Sequence, residues 1–207
     1  MNKALVQVLG AVAYGEWKAY EGAKAKVSEA ADEVERRVWR KTAAEELRHH
    51  KGFVARLEAM GADPERAMRP YRRALDTYHA HTTEDPLEEA VWSFLGEGIA
   101  DDLLLWLRTV VDDETAAFID TVIADEEEHE GRAVAELRVR LDADPRNRRA
   151  AGSAVLRMVL GMADSGRAGG VPLAAFLRLG RQRDLLGAVF GGMLRRVRLL
   201  QLVPVLT

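Results

Sequence analysis

Cysteine is absent from the 207 residues. That excludes a disulfide framework, thiolate metal sites, a cysteine nucleophile and iron–sulfur ligation. Long apolar runs are missing as well, and none approaches the roughly 18 to 20 residues that cross a bilayer. The opening "ALVQVLGAVAYG" has the look of a signal sequence, but Gln7 interrupts it and only Lys3 precedes it. It reads as the start of a helix in a cytoplasmic protein with no membrane partner. Alternating patterns of strand type are also lacking. What remains is ordinary for a globular chain, with 48% hydrophobic and 30% charged residues and enough length for one domain with a sizeable core.

Lysine stops early: all six lie at or before Lys51. From Pro145 onward eleven Arg face only Asp164 and Asp184, about +9, so the net charge of −3 leaves about −12 on residues 1–144. Two expectations follow. Either the basic segment packs on the acidic part, or it offers a surface to a polyanion such as RNA, where counterion release favours clustered Arg.

Helix punctuation is frequent. "DPLE" at Asp85–Glu88 combines an N-cap Asp, a Pro at the first helical position and a Glu in the first turn. "DP" recurs at Asp63–Pro64 and Asp144–Pro145, "DEVE" at Asp32–Glu35 is a weaker capping box, and Gly61 follows Met60 as a stop. The pattern predicts long helices at about 3–28, 32–60, 86–110 and 113–142, and shorter ones at about 64–80, 145–163, 172–181 and 184–200. The class is all-α. Short links make the first and last long pairs antiparallel hairpins, and about 25 residues join them. One long crossover between two hairpins is the connectivity of a ferritin-like four-helix bundle. Residues 1–143 are thus expected to form the bundle and 144–207 a basic helical extension packed on it, with "GRAGGVP" (166–172) as its one break.

Acidic residues interrupt the apolar stripes. Steps of three and four on the first long helix connect Leu5, Leu9, Val12, Glu16, Ala19, Ala23 and Val27. On the second they connect Trp39, Thr42, Glu46, His49, Phe53, Leu57 and Met60. The third gives Leu87, Ala90, Phe94, Glu97, Asp101 and Leu104, and the fourth Ile119, Val122, Glu126, His129, Ala133 and Leu137. Glu16 and Glu46 lie about 14 and 16 residues from their shared turn, and Glu97 and Glu126 about 14 from theirs. At about 1.5 Å per residue, each pair falls at one depth.

Four carboxylates inside an apolar interior would each cost several kcal/mol and repel one another. Two divalent ions would bring +4 against −4, and two neutral imidazoles would complete the shell. Glu-x-x-His sets both side chains on one helical face, within reach of one metal. Glu16, Glu46, His49, Glu97, Glu126 and His129 are therefore the expected ligands of two Fe or two Mn ions, which use the same donors.

Asp101, one turn after Glu97, could replace it as ligand or orient a histidine. Tyr14 and Tyr20 flank Glu16 and could orient it or relay an electron, with core or boundary packing as the plainer role. Glu45, Glu127, Glu128 and Glu130 read as a solvated face. His50 reads as a surface or helix-contact residue, His79 and His81 as surface histidines. The apolar C-terminal "LLGAVFGGML…LLQLVPVL" reads as a packing helix, because Arg195, Arg196 and Arg198 interrupt it.

On "VLGAVAYGEWKAYE", "AAEELRHHKGFVARLEAMGADPERAM", "FLGEGIADDL" and "DEEEHE", the chain resembles the tRNA-(2-methylthio-N6-isopentenyl-adenosine) hydroxylase-like group of the ferritin-like superfamily. The likeness covers roughly residues 5–140. It implies Glu16 as terminal ligand of one metal and Glu97 of the other, Glu46 and Glu126 bridging or chelating, and one histidine per metal. It also implies a di-iron monooxygenase that takes O2 and electrons from an external donor and hydroxylates a substrate, with tRNA meeting the Arg-rich segment. A homodimer is compatible with it. Iron oxidation, storage or peroxide removal is the second expectation, and a metal-free or structural-metal interaction protein the third.

Overall fold

The computed structural model describes residues 2–80, 85–167, 173–180 and 182–202. The helices are α1 Lys3–Glu29, α2 Glu33–Ala59, α3 Pro64–Met68, α4 Arg72–His79, α5 Pro86–Leu107, α6 Asp113–Ala143, α7 Pro145–Arg167, α8 Leu173–Leu179 and α9 Gln182–Leu199. No strand occurs among the described residues.

Local chemistry sets the ends. Asn2 accepts the amides of Ala4 and Leu5, Asp32 that of Glu35, Asp85 those of Leu87 and Glu88, and Asp112 that of Thr115. Each satisfies amides that the first turn of a helix leaves unbonded. Glu35 reaches back past Asp32 to accept the Ala31 amide at 2.7 Å, one residue before the N-cap amide that a capping box uses, so only the Asp32 half of the expected box forms. Gly61 ends α2 at φ +72°, a left-handed conformation that glycine adopts at little cost. The single helix expected over 64–80 is divided. A 3-10 turn, Arg69–Tyr71, separates α3 from α4, because Pro70 has no amide proton to continue the ladder.

The described chain separates into two compact units, residues 1–81 with 166–179, and residues 82–165 with 180–207. These boundaries differ from the expected break between 143 and 144, since the C-terminal helices are shared out between the units.

In the first unit α1 and α2 form an antiparallel hairpin, with Glu16 across from His49 and Ala13 from His50. Val8, Leu9, Ala13, Phe53 and Leu57 are fully buried in it. α3 lies against α1 at Gly10, where an added Cβ would run into the Ala67 carbonyl. α8 packs on α1 and buries Ala175 and Phe176.

In the second unit α5 and α6 are the hairpin, joined near their turn by the Arg108–Asp120 ion pair. α7 and α9 belong to the same apolar core: Leu87, Val91, Phe94 and Leu95 meet Leu137, Leu141, Ala154, Met158 and Leu200. The basic segment sits on acidic helices here. Arg157 forks onto Glu88 at 2.7 and 2.8 Å, and Arg148 reaches Asp142 at 2.5 Å and the Leu200 carbonyl at 3.1 Å. Among the described residues no helix is long and apolar enough to cross a membrane. The expected break at 166–172 and the last residues, 203–207, lie largely outside the described residues.

Candidate metal centre

Each hairpin carries a set of carboxylates around a histidine. On α1 and α2 the set is Glu16, Glu46 and His49, and all three are buried. His49 Nδ1 lies 3.4 Å from Glu16 Oε2 and 3.8 Å from Glu46 Oε2. Each of the three offers a donor atom, and these atoms lie within 4.8 Å of one another, close enough to share one ion. The step of three residues on α2 brings Glu46 and His49 onto one face, and the antiparallel register brings Glu16 to the same level.

On α5 and α6, His129 Nδ1 lies 3.1 Å from Glu126 Oε2. Both line a small recess with Glu97, Asp101, Glu130, Phe94, Gly98 and Ala133. Burial drives the Asp101 carboxyl up to about 8, Glu126 adds to that by repulsion, and Arg196 opposes it. Asp101 therefore favours its protonated form at neutral pH when no metal ion is bound.

Glu97 corrects one expectation. Its side chain is exposed, not turned into the core, and the Ser93 hydroxyl donates to it at 2.7 Å from one turn earlier. It still borders the recess, so it can reach a metal from the rim. Asp101 is the more enclosed of the two acids.

Two more acids are not solvated as expected. Glu45 is 7% exposed, with Lys41 at 3.5 Å. Glu130 is half-buried and accepts from Arg195 at 3.0 and 3.1 Å and from Arg196 at 2.7 Å. Glu127 and Glu128 are exposed, as the pattern indicates. His50 is a helix contact: its Nδ1 lies 2.8 Å from the Ala13 carbonyl and its ring 5.3 Å from Trp17. Tyr14 donates to Asp76 on α4 at 2.7 Å, which ties it to a neighbouring helix. Tyr20 is half-buried against Trp17, with 5.2 Å between ring centres. His79 is exposed, and His81 lies outside the described residues.

The sequence reading missed Asp102 and Arg196. Asp102 is 4% exposed and accepts from Arg196 Nη1 at 2.7 Å. Burial holds its carboxyl above the ordinary range, against the pull of that hydrogen bond. The one signal available was its place beside Asp101 in "IADDL", which reads equally well as helix surface.

The donors are all oxygen and imidazole nitrogen, a set that suits iron and manganese. The first half also concentrates the charge of Glu16 and Glu46 away from water, which a divalent cation would neutralise. The residues present fit such ions.

Three comparisons bear on this geometry. Residues 1–167 match the family described as "Ferritin-like domain, actinomycetes". No curated protein matches the chain. Among solved structures the fold is similar to "Protein 19 with aldehyde deformylating oxidase activity from Synechococcus", at TM-score 0.60 and 22% identity, over 98% of this chain and 96% of that one.

Proposed function

Given that the chain belongs to the actinomycete ferritin-like domain family, we propose that it is an O2-activating oxidoreductase with a dinuclear metal centre, most simply a di-iron hydroxylase. Glu16, Glu46, His49, Glu97, Glu126 and His129 are its proposed ligands, with Asp101 able to take the place of Glu97. The observation that carries this reading is the repeated half-set: in each hairpin a Glu-x-x-His brings its imidazole nitrogen against a carboxylate, at 3.8 Å in one and 3.1 Å in the other. A solvated helix surface gives no reason for that pattern to be enclosed twice. The similarity of fold to a protein with oxidase activity supports the same class.

When bound, two ferrous ions would supply the electrons and the open coordination positions that reduction of O2 requires. The chain's own groups do the rest. Glu16 and Glu46 would hold one ion by charge, and His49, fully buried, would offer it a ring nitrogen. Asp101 lines the same recess as Glu126 and His129, where its carboxyl would stand at the edge of the second half-site. Val8, Leu9 and Phe53, all fully buried, keep the first hairpin's interior dry.

Within this reading a hypermodified tRNA adenosine is the candidate substrate, reached through the Arg-rich C-terminal region, with an external electron donor and a homodimer as further partners. Arg148, Arg157, Arg195 and Arg196 already engage carboxylates of this chain. An RNA surface would therefore depend on others, such as Arg149, Arg183 and Arg198.

The test is direct. Protein purified without added metal is assayed for iron and manganese, then given Fe(II), a reductant and O2 with isopentenyl-modified tRNA, and separately with a long-chain aldehyde. Two metal ions per chain and a hydroxylated nucleoside support the full reading; product from the aldehyde alone keeps the oxidoreductase and removes the tRNA. A hollow assembly on size exclusion with ferric mineral inside would favour storage. Absence of bound metal and of O2 consumption overturns the proposal.

A further inference from the structure

Arg196 is 1% exposed, and among the described residues it is the one buried arginine or lysine. It reaches from α9 into the recess side of the α5–α6 hairpin. Its Nε donates to Glu130 at 2.7 Å, its Nη1 to Asp102 at 2.7 Å, and its Nη2 lies 3.8 Å from Asp101. Glu130 follows His129 directly in the chain, and Asp101 lines the recess with Glu126.

Room for this cation is built into both helices. A Cβ at Gly98 of α5 would run into the Arg196 guanidinium, and a Cβ at Gly192 of α9 would run into the Asp102 carboxylate. Each helix has a glycine where the other's charged group lies. Both side chains are enclosed, so neither can swing aside at small cost. α9 also lies beyond residue 167, where the family match ends.

Asp101, Asp102 and Glu130 are hard oxygen donors one to five residues from the proposed ligands Glu97, Glu126 and His129. Left to themselves they would compete with those ligands for a divalent cation. We propose that Arg196 is a positioning residue of the second half-site: it engages Glu130, Asp102 and Asp101 so that Glu126 and His129 are the groups presented to metal. The inference rests on the metal-centre reading above.

The experiment uses the full chain and Mn(II) or Co(II) alone as probe. Wild type, Arg196→Met, Arg196→Lys and Gly192→Ala are titrated with Mn(II), with helicity checked by circular dichroism, and Co(II) absorption reports the coordination of each ion. The expected result is two ions in wild type. In Arg196→Met and Gly192→Ala the first ion binds as before and the second about 10- to 100-fold more weakly, the usual range for lost support of a metal ligand. The second ion's Co(II) bands shift as well. Arg196→Lys, which retains charge without the three-way fork, falls between. If Arg196→Met or Gly192→Ala does not fold, Arg196→Lys carries the test, since it keeps the buried charge and loses only the fork that spans the three acids. Folded variants with two wild-type affinities and unchanged Co(II) bands overturn the role of Arg196 and leave the metal centre standing. A wild type that binds neither ion overturns both.

Discussion

His49 Nδ1 stands 3.4 Å from the Glu16 carboxylate on the neighbouring helix, and the histidine has no exposed surface. An imidazole in that position is enclosed by acids that gain most from a shared cation. His49→Gln, close in size, should lower Mn(II) affinity at this half by about 10- to 100-fold. Wild type should gain about 2.7 kcal/mol of unfolding free energy at a hundredfold excess of Mn(II) over its Kd, and the variant about 0.4 to 1.4 kcal/mol at the same concentration. Thermal unfolding with and without Mn(II) measures both.

Asp101 gives a pH dependence of stated sign. Its carboxyl titrates at about 8 in the folded, metal-free chain and near 3.9 when unfolded. Between those values the folded state binds the extra proton. Its contribution to stability is therefore full below about pH 4 and lost as pH rises toward 8. Asp101→Asn should flatten that part of the curve, which urea melts at several pH values would reveal. A wild-type slope unchanged by the substitution would count against the assignment.

Gly10→Ala tests the α1–α3 packing. The methyl would improve helix propensity by up to about 1 kcal/mol, but it meets the backbone carbonyl of Ala67, which cannot rotate away. Overpacking of this kind costs about 1–3 kcal/mol, so the variant should be less stable by chemical denaturation. Gly15→Ala is the control, as nothing lies near its added Cβ.

Asp112 joins the α5–α6 turn to α6, with Oδ1 on the Thr115 amide at 2.9 Å and Oδ2 on its hydroxyl at 3.1 Å. Asp112→Ala should cost about 1 kcal/mol, in the range of lost N-caps. Asp112→Asn should recover most of it. Equilibrium denaturation of the three proteins settles the comparison.

Much of this molecule was legible before any coordinates. The starts of α2 and α5 follow from Asp32 and from Asp85 with Pro86, and the end of α2 from Gly61, all readable within a turn of the helix end. Glu16, Glu46 and His49 were found because a period of 3.6 puts them among Leu9, Phe53 and Leu57, and those positions are buried. The same rule failed at Glu97. Its angular position is right for the core, but a long side chain can bend along its helix, and Ser93 offers its carboxylate a hydrogen bond one turn away. Glu130 failed in the opposite sense, since periodicity cannot tell that Arg196, 66 residues on, will meet it.

Helix, hairpin and the paired Glu-x-x-His sets are written in the chain because they depend on neighbours three or four residues away. The bond between Arg196 and Asp102 joins residues 94 positions apart, and no local pattern distinguishes Arg196 from the exposed Arg198 two residues on. Folding chose between them. The packing of α9 on α5 leaves space above Gly98 for one guanidinium, and a cation enclosed there must find acids to balance it.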